Sequence, residues 1–156
     1  AAFTHLGFGS RFTNGDFGVY YAADSLETAI AETIYHKERE MAAAGEESIE
    51  LTMRCYVGEI ARAMQDIRGE AFADLHDPDD YSASQAYAAS SRANASDGLL
   101  YNSVRRHGHE CIAAFRPVAL HPPVQGEHLK YFWDGDKRRI THWAKISDAH
   151  EVPPRP

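Results

Sequence analysis

Four things are scarce in this chain of 156 residues: positive charge, cysteine, long apolar runs and glycine-rich nucleotide grips. The formal net charge is −7, so the chain is a poor unaided binder of nucleic acid, where phosphate contacts supply most of the affinity. The basic clusters Arg105-Arg106 and Lys137-Arg138-Arg139 are too short for a nucleic-acid footprint. Only two cysteines occur, Cys55 and Cys111, both inside apolar alternating runs, which suits free thiols in a reducing compartment better than a disulfide. No apolar run is long enough to cross a bilayer and no signal-peptide pattern opens the chain, so the cytoplasm is the expected location and no membrane partner is expected. The missing initial Met predicts that a few native residues precede Ala1. No Gly-x-Gly-x-x-Gly follows a strand and no Walker-type Gly-Lys-Ser/Thr occurs, which excludes the two commonest nucleotide grips. The run His107-Gly108-His109-Glu110-Cys111 has no second matching cluster, so no metal site is expected.

What is present predicts one compact domain over residues 1–150 and a flexible tail over 151–156. Residues 17–23 (Phe-Gly-Val-Tyr-Tyr-Ala-Ala) read as a strand after the turn Asn14-Gly15. A helix follows, with Asp24 as its cap and Glu27 completing a capping-box pattern. Its apolar stripe is Leu26, Ile30, Ile34 and Met41, and it ends near Gly45. Residues 49–57 alternate as a half-buried strand, 70–80 form an acidic loop, and 82–93 form a helix with its alanines and Tyr87 inward. Residues 98–101 and 111–115 read as strands, and 129–133 with 139–143 as a hairpin around Asp134-Gly135. This order predicts an α+β fold, central β-sheets flanked by helices.

Three residues stand out as chemistry carriers. Arg11 lies in the loop Gly9-Ser10-Arg11-Phe12-Thr13-Asn14-Gly15, where a planar guanidinium on flexible backbone can meet a phosphate. Glu32 falls on the helix side shared by Ser25, Ala29 and His36, nearly opposite the apolar stripe. Judged by periodicity alone it is a solvated glutamate, although its small neighbours leave room for a ligand. Ser103 closes the strand ending at Asn102, without the Gly-x-Ser-x-Gly elbow of a hydrolase nucleophile.

Together these residues carry a resemblance. The run Ser10-Arg11-Phe12-Thr13-Asn14-Gly15, leading into Val19-Tyr20-Tyr21-Ala22-Ala23-Asp24 and on to Ala31-Glu32, resembles the opening of RES domains. Asp97-Gly98-Leu99-Leu100-Tyr101-Asn102-Ser103-Val104-Arg105 is similar to that family's third motif, and Tyr131-Phe132-Trp133-Asp134-Gly135 to its C-terminal hairpin. The wording is closest to the ParT-type branch. The resemblance implies an ADP-ribosyltransferase-like fold, NAD as substrate, and a toxin of a type II toxin–antitoxin system. Carried over, Glu32, Arg11 and Ser103 are catalytic, and Arg11, Phe12, Tyr21, His36 and Ser103 line the NAD site. One departure is Phe12, where many relatives carry Trp or Tyr, so a polar tip is lost there. The implied partners are an antitoxin covering the site and a protein acceptor of ADP-ribose. Two alternatives stand beside transfer to protein: an NAD glycohydrolase or phosphorylase that depletes the dinucleotide, and a non-catalytic module binding a nucleotide or protein.

Overall fold

The computed structural model describes residues 2–4 and 6–146, which form a mixed α+β fold with two sheets. The chain makes two compact units, Ala1–Thr33 with Gly58–Pro122, and Ile34–Val57 with Pro123–Pro156. The proposed tail 151–156 lies outside the described residues.

In the first unit, a four-stranded sheet is built from β1 (Tyr20–Ala23), β3 (Gln65–Asp66), β4 (Gly98–Asn102) and β5 (Glu110–Ala114), in the order β1-β5-β4-β3. β5 pairs antiparallel with both β1 and β4, while β3 lies parallel to β4. The central pair reads as continuous apolar sequence because both faces are covered; Leu99, Tyr101, Cys111 and Ala113 are all buried. Phe12, Phe17, Ile67 and Phe115 complete the core around them. Gly98 is required there, since a Cβ would sit 2.6 Å from the Ala113 carbonyl oxygen.

The expected strand over 17–23 is shorter than the pattern predicts. Its partner β5 ends at Ala114, paired with Tyr20, and the chain then turns into a short 3-10 segment, Pro117–Ala119. Phe17 and Val19 therefore supply core side chains and no ladder. The expected loop over 70–80 is likewise corrected: Glu70–His76 form a 3-10 helix, and Leu75 is its buried anchor. Helix α2 (Ser82–Ala93) has the predicted bounds but a different inner face. Ser84, Ala88 and Ser91 are its buried positions, with Tyr87 packed against the core.

Helix α1 (Leu26–Ala44) contributes residues 26–33 to the first unit. Its cap is Ser25, one residue later than expected, whose Oγ accepts from the Thr28 N–H at 3.3 Å. Ile30 is buried as predicted, and so is Thr28, which no apolar stripe announces. The helix stops at Ala44 because Gly45 takes φ +68°, the left-handed conformation that closes helices.

The second unit holds the sheet β2-β6-β7, with β2 (Ile49–Val57), β6 (Val124–Asp134) and β7 (Arg139–Ile146). Both pairings are antiparallel, and Leu129, Tyr131, Trp133 and Ile140 are its buried residues. The predicted hairpin is present and longer than expected, closed by residues 135–138 with Arg138 at φ +51°. The Asp134 side chain holds that turn, accepting from the Lys137 N–H at 2.9 Å. The rest of α1 is tied to this unit by Glu38, which accepts from the Ile140 N–H at 2.7 Å.

Candidate functional site

Arg11, Tyr21, Glu32 and Ser103 all lie in the first unit, positioned by β1, α1, α2 and the end of β4. The Arg11 loop is held from two sides. Gln85 of α2 donates to the Ser10 and Thr13 carbonyls at 2.9 and 3.1 Å, and the Ser84 hydroxyl donates to the Arg11 carbonyl at 2.6 Å. The Arg11 guanidinium donates through Nη1 to the carbonyls of Asp77 at 2.7 Å and Leu75 at 3.4 Å, and stacks over the Tyr81 ring at 4.6 Å. At 5% exposure, Arg11 is a strut between its loop and the 3-10 helix more than a surface cation.

Tyr21 shows a ring about a third exposed and a hydroxyl enclosed. That hydroxyl meets Ser10 Oγ at 2.7 Å and accepts from the Phe12 N–H at 3.0 Å, and its burial raises the phenol pKa. Phe12 itself has no exposed surface and packs edge-on to Tyr101, with ring centres 4.8 Å apart. An apolar ring there is thus explained by packing, and the missing polar tip leaves no gap. His36 falls in the other unit, exposed, its ring edge-on to Tyr35.

Glu32 is half-buried, contrary to what helical periodicity alone suggests, because Ser103 comes to it from 71 residues away. Ser103 is 6% exposed, and its hydroxyl donates to Glu32 Oε1 at 2.6 Å. The Ser103 Oγ in turn accepts from the backbone N–H groups of Arg105 at 3.3 Å and Arg106 at 3.0 Å. A hydroxyl has two acceptor sites and one proton, so the turn fills the first and leaves the proton for the carboxylate. The Cys111 thiol lies 4.0 Å from the same carboxylate oxygen. Burial, and then the Glu32 charge, push its pKa to about 12, so it stays protonated. Among the described residues, Glu32 makes no ion pair.

The turn after β4 is fastened at its far end too. Ser103 N–H donates to the His109 carbonyl at 2.8 Å, and the Asp24 carboxylate receives the His109 ring at 2.9 Å and the Glu110 N–H at 3.1 Å. Burial opposes ionisation of Asp24, but the hydrogen bonds from Glu110, His109, Thr28 and Ser25 outweigh it and lower the pKa to about 2. The run 107–111 therefore diverges: His109 faces Asp24, Glu110 pairs with Arg68, and Cys111 faces Glu32. Among the described residues, no three His, Cys, Asp or Glu side chains converge on a common point. An open groove of about 540 Å³, lined by Met64, Gln65, Tyr87, Asn94 and Asp97 among others, shares no residue with this cluster.

Sequence reasoning missed Tyr81, Ser84, Gln85 and Arg106. The one available signal was Ser84 at helical spacing with Ala88 and Ser91, since a serine on a buried face needs a partner.

A carboxylate aimed by a hydroxyl, and in no ion pair among the described residues, is suited to meeting positive charge on a substrate. The protein is thus of the α+β class, with the arginine, the glutamate and the serine in one unit. The chain belongs to the RES domain family, whose sequence profile matches residues 1–134. RES domains occur in toxins of toxin–antitoxin systems and are associated with NAD-using enzymes. The chain is also 27% identical over 148 residues to the uncharacterized protein y4oC of Sinorhizobium fredii (strain NBRC 101917 / NGR234). That match covers 94% of this chain and 60% of the relative, so the chain spans about three fifths of the length of the curated protein it resembles. No helix among the described residues is long and apolar enough to cross a membrane.

Proposed function

We propose that this chain is the toxin of a toxin–antitoxin pair, cleaving the nicotinamide–ribose bond of NAD and transferring ADP-ribose to a protein. The observation that carries the reading is the Glu32 carboxylate, oriented by Ser103 at 2.6 Å and free of any ion pair among the described residues. When the N-glycosidic bond breaks, its electron pair leaves with nicotinamide and the ribose becomes oxocarbenium-like. Glu32 stabilises that cation in place, and the acceptor nucleophile then bonds to the anomeric carbon and loses its proton. Nicotinamide departs as a neutral molecule, so no strong general acid is needed. The exposed Tyr21 ring offers a flat apolar face for nicotinamide or ribose, and its fixed hydroxyl holds that ring in place. Arg11 braces the loop and contributes a fixed positive charge on the anionic side of the substrate. A cognate antitoxin covering this site in the cytoplasm accounts for control of the activity.

Incubation with labelled NAD and a cell lysate tests the reading. Labelled protein bands are the expected result. Free ADP-ribose or its phosphate would instead assign a glycohydrolase or phosphorylase, and unchanged NAD would overturn catalysis in favour of a binding module.

A further inference from the structure

The arginine that follows the Ser103 turn has a geometry that neither the motif nor the fold requires. Arg106 donates through Nη1 to the hydroxyls of Ser25 and Thr28, both at 3.0 Å. Those two hydroxyls, themselves 2.7 Å apart, hold the Nη1 corner of the guanidinium, and among the described residues its Nε and Nη2 donate to no protein acceptor. The Nε–Nη2 edge is the one that meets two oxygens of a phosphate side by side. The side chain is half-buried rather than enclosed, and among the described residues it pairs with no carboxylate. Asp24 hydrogen-bonds to the same Ser25 and Thr28 hydroxyls, but its own carboxylate is taken up by His109 and the Glu110 N–H.

Five other arginines of this unit are differently committed. Arg68 is shared between Asp66 and Glu110, Arg116 faces Asp97, Arg105 donates to the Pro78 carbonyl, Arg92 lies over the Phe17 ring, and Arg11 is 5% exposed. Position also favours Arg106. Thr28 lies about one helical turn, four residues or about 6 Å along the axis, before Glu32. The Arg106 N–H is itself 3.0 Å from the hydroxyl that orients Glu32. A guanidinium tethered to Thr28 is thus anchored about one turn of α1 from the residue that carries the carboxylate.

We propose that Arg106 is the phosphate-binding residue of this site, its Nε–Nη2 edge gripping the pyrophosphate of a dinucleotide whose ribose faces Glu32. The inference rests on the NAD reading above and assigns direct phosphate contact to Arg106, with Arg11 as the strut. Neutral hydroxyl tethers suit this role, because a carboxylate in their place would already have cancelled the charge.

Calorimetric titration with ADP-ribose and, separately, with nicotinamide riboside tests it in the unmodified protein, Arg106→Gln and Arg106→Lys. Arg106→Gln is expected to weaken ADP-ribose binding about thirtyfold, the size of a charged pair of hydrogen bonds, while nicotinamide riboside, which has no phosphate, binds as before. Arg106→Lys keeps the charge without the fork and is expected to fall between, about fivefold weaker than the unmodified protein. An unchanged thermal midpoint in either variant shows that the fold survives. Equal losses for both ligands, or no loss for ADP-ribose, would overturn the assignment while leaving the NAD reading intact. Failure of the unmodified protein to bind either ligand would overturn the NAD reading itself, and this inference with it.

Discussion

The two units bury different kinds of residue. Among the described residues the buried polar and charged side chains, Arg11, Thr13, Thr28, Ser84, Ser91 and Ser103, all lie in the first unit. The buried residues described in the second unit are Leu129, Tyr131, Trp133 and Ile140. Burying a polar group is costly unless it is hydrogen-bonded, and among the described residues no buried side-chain nitrogen or oxygen lacks a partner. The first unit thus accepts a demanding interior in order to fix the directions of Arg11, Ser103 and Glu32. The second unit follows the simpler rule of alternating strands over an apolar core. Position of polar groups, rather than amount of hydrophobic surface, separates the unit that holds the arginine, the glutamate and the serine from the other.

That contrast is sharpest at Glu32. Glu32→Gln is expected to lower NAD turnover about a thousandfold or more, the scale of losing one electrostatic stabiliser of a transition state. Its thermal midpoint should stay near that of the unmodified protein. Nicotinamide release followed against a melting curve checks both halves, and a normal rate would sink the mechanism. In the second unit the expected loss is stability: Trp133→Ala removes a side chain only 3% exposed and should destabilise by about 3–5 kcal/mol in urea unfolding. A loss below about 1 kcal/mol would show that this core is not packed as described.

A smaller effect is expected from Ser84→Ala, which takes away the donor to the Arg11 carbonyl at 2.6 Å. Leaving that acceptor unmet costs about 1–3 kcal/mol. The Arg11 loop should loosen with it, read as faster amide exchange at residues 10–13 than at β4. Uniform exchange across both would contradict the clamp. The least change is expected at Asp24, whose pKa falls from its ordinary 3.8 to about 2 in the folded chain. A depressed carboxylate contributes stability that is complete above the unfolded pKa and is lost as pH drops through the folded one. Asp24→Asn should therefore flatten the decline in stability between about pH 4 and pH 2, measured by urea midpoints across that window. An acid limb identical to that of the unmodified protein would remove Asp24 from the account.

Local pattern revealed much of the fold and little of the site. The bounds of β2 and α2 match alternation and helical composition, and Gly45 marks the end of α1, because each depends on residues near in sequence. The errors fall where a distant segment decides. Phe17 and Val19 have strand composition but no strand partner once β5 ends at Ala114. The acidic run over 70–76 winds into a 3-10 helix because Leu75 must be buried. The helix cap moved to Ser25 because Asp24 is claimed by His109 and Glu110 from 85 and 86 residues away. Glu32 is the same case at the site. Its helix face predicts solvent, and the residue that removes it from solvent sits at the end of another element, so motif resemblance could draw attention to it where periodicity could not.

The Ser103 hydroxyl, with two backbone N–H groups on its oxygen and its proton on Glu32, works as a mechanical linkage. The peptide planes of Arg105 and Arg106 set the hydroxyl, and the hydroxyl sets the carboxylate. Any load on that short turn is thereby converted into an angle at Glu32. Aim of the carboxylate becomes a property of the backbone, which evolution can retune by substitutions that never touch the glutamate.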